Sequence, residues 1–216
     1  MKKIAVVLSG CGVMDGSEIN EAVLTLFSIE QNGATYQCFA PDMMQMHVIN
    51  HLTGKETDEK RNVLVESARI ARGNIKNLQA LKVDDFDALI FPGGFGAAKN
   101  LCDFAIKGAE CNIQPDVARA VTAMHEANKP VGFICIAPTM IPKLYPPKTK
   151  LTIGTEKEVA EKIVAMGGDH LACPVDAIAV DKTQKVVSTP AYMLAESLSE
   201  AYAGIQKLVQ EVLAMT

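Results

Sequence analysis

Cys135 closes a short apolar run in the stretch KPVGFICIAPTM, and Ile136-Ala137-Pro138 follows it at once. A thiol so placed supports two readings. Buried in a core, it is a small hydrophobe with no reaction to perform. On a sharp turn from strand into helix, it meets free N–H groups and a helix dipole that favour the reactive thiolate. The residues alone leave both open. A second group that could serve such a thiol lies in GSEINEAV, where Glu18 and Glu21 are three apart and so share one side of a helix. Either acid could lie over a neighbouring strand end. The alternative is a solvated polar stripe of Glu18, Glu21, Thr25 and Ser28, with its acids favoured by the first turn. A third candidate is the turn PGGFG at residues 92–96. Its glycines allow a backbone N–H to face a cleft as an oxyanion donor, or form a simple helix-entry turn.

Other residues point less firmly. Gly10, Gly12 and Gly16 resemble a dinucleotide fingerprint, but their spacing is one residue too long, and a tight loop explains the same glycines. Asp42 could pose as the ribose-binding acid. There is no GxxxxGK[ST] run, which excludes a P-loop. His47 and His51 are four apart but lack a third ligand, so no metal site is expected. His125-Glu126 begins like HExxH without the second histidine, and His170 reads as a loop residue. None of the six cysteines pairs as CxxC, which reads as free thiols in a reducing compartment. LSGC near the start looks like a lipoprotein box, but the apolar run Ile4–Leu8 is shorter than a signal core and reads better as a strand. The net charge of −4 and the lack of a basic stripe argue against nucleic acid, and no stretch is long enough to span a membrane.

These residues need elements to position them, and the chain supplies an alternation of strand and helix. Strands are expected at Ile4–Leu8, Thr35–Ala40, Ala88–Phe91 and Val131–Cys135. Helices are expected from Glu18 to Asn32 with Ser17 as cap, over Asn62–Arg72, Ala97–Ile106, Pro115–Asn128 and Glu156–Met166, and from about Tyr192 to Ala214. Leu151–Gly154 reads as short and extended, and Ala177–Val180 with Lys185–Thr189 as a hairpin. Residues 41–60 read as an irregular insertion. The result is one α/β domain over residues 1–216, a doubly wound, mostly parallel, flavodoxin-like sheet with helices on both faces and a late β-hairpin. Its site belongs beyond the carboxyl ends of the central strands, where SGCGVMDGSE, PGGFG and CIAP fall.

Taken together, these strand ends resemble the ThiJ/PfpI superfamily, with its class I glutamine amidotransferase-like fold. LSGCGVMDGSEINEAVL, INHLTG, FPGGFGAAKNL, CIAP and STPAYMLA resemble more narrowly the ElbB group of isoprenoid biosynthesis, or enhancing lycopene biosynthesis, proteins. The resemblance implies that Cys135 is the nucleophile and Glu21 the carboxyl that hydrogen-bonds it, with Glu18 as reserve. It places the oxyanion-hole N–H groups at Gly94 and Ile136. It implies a glyoxalase-like activity on a small aldehyde, needing neither glutathione nor metal nor any other cofactor; protein deglycase activity is also attached to the superfamily. Ile136 stands where protease and amidotransferase branches carry histidine, and no late HxE exists, so peptide and glutamine hydrolysis lose support. A thiol redox sensor and a non-catalytic accessory protein are the other readings. A homodimer in the cytoplasm is the expected setting.

Overall fold

The computed structural model describes residues 1–216. In chain order the strands are β1 (Lys3–Val7), β2 (Thr35–Ala40), β3 (Ile49–Asn50), β4 (Lys55–Glu56), β5 (Ile75–Asn77), β6 (Ala88–Phe91), β7 (Val131–Ile134), β8 (Lys150–Leu151), β9 (Asp169–His170), β10 (Ala179–Asp181) and β11 (Val186–Thr189). The helices are α1 (Ile19–Gln31), α2 (Val63–Ile70), α3 (Phe95–Lys99), α4 (Phe104–Lys107), α5 (Pro115–Glu126), α6 (Ile141–Leu144), α7 (Lys157–Ala165) and α8 (Leu198–Ala214). Seven strands form one sheet in the order β10-β11-β7-β6-β1-β2-β5. Every pairing in it is parallel except the β10–β11 hairpin.

The apolar runs explain the centre of the sheet. In β6 and β7 every residue is buried, as in β1 after its first residue. Strands covered by helices on both faces need such runs, and 47 buried residues join in one core. Phe91 on β6 stacks on Phe133 of β7, with ring centroids 5.2 Å apart. The connection between β1 and β6 is where the chain changes winding direction, so the loops after β1, β6 and β7 open at one end of the sheet.

Several expectations are corrected. Ser17 does not cap α1; Glu18 does, its carboxylate accepting the Glu21 N–H at 2.6 Å. Ser17 Oγ instead accepts the Ser9 N–H at 2.8 Å, bracing the loop after β1. The helix expected over Ala97–Ile106 is two short ones, because Asn100 leaves the helical path to serve as a buried tie. Its amide donates to the Ser9 and Asp15 carbonyls, both at 2.9 Å, and its Oδ1 accepts the Met46 N–H at 2.9 Å. The insertion over 41–60 contains the small antiparallel pair β3–β4. It is pinned to the loop after β1, since Ile49 N–H donates to Asp15 Oδ2 at 2.7 Å and Met14 N–H to His51 Nε2 at 3.1 Å. His51 Nδ1 lies 3.0 Å from the Ile49 carbonyl, so both ring nitrogens are engaged within the fold. The strands β5 and β9 were not expected, and β8 overlaps the extended segment expected at Leu151–Gly154 only at Leu151. The last helix starts at Leu198, capped by Ser197, rather than near Tyr192.

Asn100 carries three ties between segments distant in sequence, and its removal leaves the Ser9 carbonyl and the Met46 N–H without partners and the Asp15 carbonyl with only the longer Gln45 bond. Asn100→Ala is expected to cost about 2–3 kcal/mol, a melting temperature lower by about 5–10 °C for a chain of this size. An unchanged thermal melt would contradict that role.

Candidate active site

Three backbone segments meet at the carboxyl ends of β1, β6 and β7. Glu18 N–H donates to the Gly93 carbonyl at 3.0 Å, Phe95 N–H to Val13 at 2.7 Å and Gly96 N–H to Gly16 at 2.9 Å. So the start of α1, the glycine turn and the loop after β1 are joined backbone to backbone. Only glycine permits this. A Cβ on Gly94, whose φ is +90°, would lie 2.2 Å from the Glu18 nitrogen, and one on Gly96 would lie 2.5 Å from the Gly16 Cα. Gly10 and Gly12 also have positive φ, and Gly12 N–H donates to Ser17 O across the loop. The glycine-rich segment thus folds tightly on itself, as the tight-loop reading required.

Cys135 stands one residue past β7 with φ +62°, a left-handed conformation that costs a non-glycine residue roughly 1–3 kcal/mol. Its N–H is held by the Thr189 carbonyl of β11 at 2.9 Å. This is the sharp elbow expected after the strand. The expected helix N-terminus is not there. A 3-10 turn, Ala137–Met140, follows, and then the single turn of α6. A helix dipole of any strength is therefore lacking at the sulfur. What reaches the sulfur instead are two backbone N–H groups, those of Gly94 and Ile136.

Beside the thiol lies Glu21, with no solvent exposure at all. Its Oε2 accepts the Gly93 N–H at 2.9 Å and its Oε1 the Tyr192 N–H at 3.1 Å. The Cys135 side chain lies beside the same carboxyl. The packing is close: a Cβ on Gly93 would sit 2.4 Å from Cys135 Cβ and 2.6 Å from Glu21 Oε2. Ala191, at φ +42°, turns the backbone that aims the Tyr192 N–H at the acid. The polar stripe on α1 is therefore not solvated. Glu21, Thr25 and Ser28 are fully buried, while Ile19, Val23 and Phe27 face outward. Glu18 is half-buried and takes up its place as helix cap at the edge of the same cleft.

Burial pushes the Glu21 carboxyl up to about 8, against the pull of its N–H donors, so it holds a proton at neutral pH. Burial, and next the Glu21 charge, pushes the Cys135 thiol well above its ordinary range, while the Gly94 and Ile136 N–H groups pull it down. The expectation of a thiol acidified by a helix dipole is thus corrected. The pair resists two negative charges in one buried volume. With Glu21 protonated the repulsion is gone, and the carboxyl O–H becomes a donor to sulfur.

Above the sulfur opens a cleft of about 400 Å³, bounded by Cys135, Gly94, Ile136, Phe95, Tyr192 and Met193. The structure brings together all five residues singled out in the sequence: Cys135, Glu21, Gly94 and Ile136 at the sulfur and Glu18 at the cleft edge. The sequence reading did not foresee Gly93 and the Tyr192 N–H as partners of Glu21. PGG and STPAYMLA were visible as motifs, but backbone N–H donors leave no signature of their own. His47, His51, His125 and His170 all lie outside this cleft.

The fold is that of class I glutamine amidotransferase-like proteins. No protein-family model matches the chain. It is 46% identical over 224 residues to the human mitochondrial protein named glutamine amidotransferase-like class 1 domain-containing protein 3, covering 99% of this chain and 83% of that one. It is 35% identical over 232 residues to the mitochondrial ES1 protein of Danio rerio, covering 99% and 86%. The crystal structure of an isoprenoid biosynthesis protein with an amidotransferase-like domain from Ehrlichia chaffeensis superposes with a TM-score of 0.93 at 38% identity, over 100% of this chain and 99% of that one. Drosophila melanogaster DJ-1beta shares the fold at 14% identity, with a TM-score of 0.55 over 99% and 95%. The chain belongs to the family of glutamine amidotransferase-like class 1 domain proteins that includes the ES1 proteins.

The buried acid has a thermodynamic signature. Its pKa of about 8 in the folded chain exceeds the ordinary 4.5, so between these values the folded state keeps a proton that the unfolded chain has lost. This contribution to stability is fully present below the unfolded value and is lost as pH rises towards 8. From pH 5 to pH 8, urea unfolding should weaken by roughly 3–4 kcal/mol in the wild type. Glu21→Gln should flatten that slope; parallel slopes in the two proteins would contradict the assignment.

Proposed function

We propose that the protein is a cofactor-independent glyoxalase-like enzyme that converts glyoxal or methylglyoxal to the 2-hydroxy acid. The observation that carries this reading is the fully buried Glu21 carboxyl packed beside Cys135 beneath a small cleft. In the pair that has given one proton to solvent, the Cys135 thiolate adds to one carbonyl carbon and the aldehyde oxygen takes a proton, giving a hemithioacetal. Glu21 gives that proton and, once ionised, takes the hydrogen from the same carbon. It returns that proton to the second carbonyl carbon while the hydroxyl proton on the first passes to the second carbon's oxygen, leaving a thioester beside an alcohol. Water then cleaves the C–S bond, releasing glycolate or lactate and restoring the thiol. One carbon is oxidised and its neighbour reduced, so no external electron carrier enters. The Gly94 and Ile136 N–H groups, which face the sulfur and are unused by other backbone carbonyls, lie within reach of an oxyanion on the carbon joined to it. A protein deglycase would use the same thiol on a sugar-derived adduct.

A second reading has a specific support. The donors that would hold an oxyanion would equally hold a sulfenate or sulfinate on Cys135, which is the chemistry of a peroxide sensor. Turnover separates the two, because a sensor reacts once per thiol. An accessory role in isoprenoid metabolism, the setting named for the Ehrlichia chaffeensis relative, would leave function intact in Cys135→Ser.

Rates on glyoxal for three variants, measured side by side, test the proposal. Cys135→Ser is expected to be inactive. Glu21→Gln can still donate an N–H but cannot pass a proton on, and should lose about 10²-fold or more. Glu18→Gln keeps an acceptor for its cap and should stay within a few-fold of wild type. Dialysis against EDTA should leave the wild-type rate unchanged. Wild-type turnover in Glu21→Gln would remove the acid from the mechanism, and loss of activity on chelation would bring back a metal.

A further inference from the structure

We infer that the cleft selects its electrophile by charge, accepting neutral or cationic carbonyl compounds, those bearing an ammonium group above all, and refusing carboxylates and phosphates. The inference rests on the reading of Cys135 as a nucleophile toward small carbonyl compounds. Three carboxylates line the cleft, Glu18 from the start of α1 and Glu156 and Glu158 from the start of α7, and no lysine, arginine or histidine does. Glu156 and Glu158 are exposed, and Glu156 also caps α7 by accepting the Glu158 N–H. The lysines near this cleft are turned elsewhere. Lys157, between the two glutamates, borders a separate hollow with Ala160 and Glu161. Lys99 donates to the Met14 carbonyl at 2.9 Å and lies over the Phe95 ring. The remainder of the wall is apolar or aromatic, including Val13, Phe95, Val159 and Met193. The Phe95 ring is already met by Lys99, so the preference for a small ammonium compound rests on the three carboxylates and on the absence of a basic residue from the lining. A cleft walled by one sign of charge raises the local concentration of the opposite sign and lowers that of its own. The 2-hydroxy acid formed in the proposed reaction is an anion, so the same walls favour its departure.

Two thiol reagents of matched size and opposite charge test this on the protein as it is. The trimethylammonioethyl and sulfonatoethyl methanethiosulfonates each form a disulfide with a thiolate, breaking the reagent's own S–S bond and releasing methanesulfinate. The modification rate at Cys135 is read by peptide mapping, and the cation-to-anion ratio is divided by the ratio for 2-mercaptoethanol. The wild type should favour the cation by about tenfold or more. Raised salt should shrink the preference, as screening requires. Glu156→Gln with Glu158→Gln should reduce the ratio several-fold, and Glu158→Gln alone, which leaves the helix cap untouched, should reduce it in part. A ratio equal to that of 2-mercaptoethanol overturns the inference, and a ratio unmoved in both variants overturns its assignment to these acids. No labelling of Cys135 by either reagent overturns it together with the nucleophile reading. Loss of glyoxal turnover with the charge preference intact sinks the proposed reaction and leaves the selection standing.

Discussion

One constraint organises this molecule: a carboxyl and a thiol, both buried and in contact, cannot both be ionised. Glu21 has no access to water, and Cys135 has very little. Each is served by two backbone N–H groups, Gly93 and Tyr192 for the acid and Gly94 and Ile136 for the sulfur. The site therefore admits at most one negative charge, and once the pair is ionised the proton that remains can sit on either group. That is the electrostatic condition for a group that must both give and take a proton.

The backbone is bent to meet this condition. Cys135, Ala191 and Gly94 all take positive φ, and each turn aims an N–H or a side chain at the pair. Two of the three are not glycine, so strain is held here by the surrounding sheet. β7 and β11 supply the support. Both are almost wholly buried and run parallel in register, and the Thr189 carbonyl at the end of β11 fixes the Cys135 N–H. Gly93 and Gly96 remove the side chains that would hold the three segments apart. The core thus does more than stabilise the fold, because its central strands set the distance between acid and thiol.

Much of this was legible in the sequence, for stated reasons. Strands buried on both faces read as unbroken apolar runs, and Ala88–Phe91 appears where expected; Thr35–Ala40, exposed at its polar start and buried at its end, does so as well. Short edge pieces such as β5 and β9 carry no pattern to read. α1 misled in the other direction. Its buried face mixes Glu21, Thr25 and Ser28 with Ala22, Leu26 and Ile29, while Ile19, Val23 and Phe27 are exposed, so the polar stripe that read as solvated lies inside. A buried acid on a helix face is itself a mark of the site, since it breaks the usual rule for a purpose. Spacing did not choose between Glu18 and Glu21; the family resemblance favoured Glu21, and the structure buries Glu21 against the thiol. The acidity expected for Cys135 failed because burial raises the thiol and the helix expected to lower it is only one turn long.

The central claim is that Glu21 carries a proton at neutral pH because it is buried against Cys135. The most direct measurement is a titration of the Glu21 side-chain carboxyl carbon by 13C NMR in selectively labelled protein. The account predicts a chemical-shift transition near 8 for this one glutamate, far above the ordinary 4.5. A Glu21 carboxyl that is ionised throughout the range from pH 5 upward would contradict it.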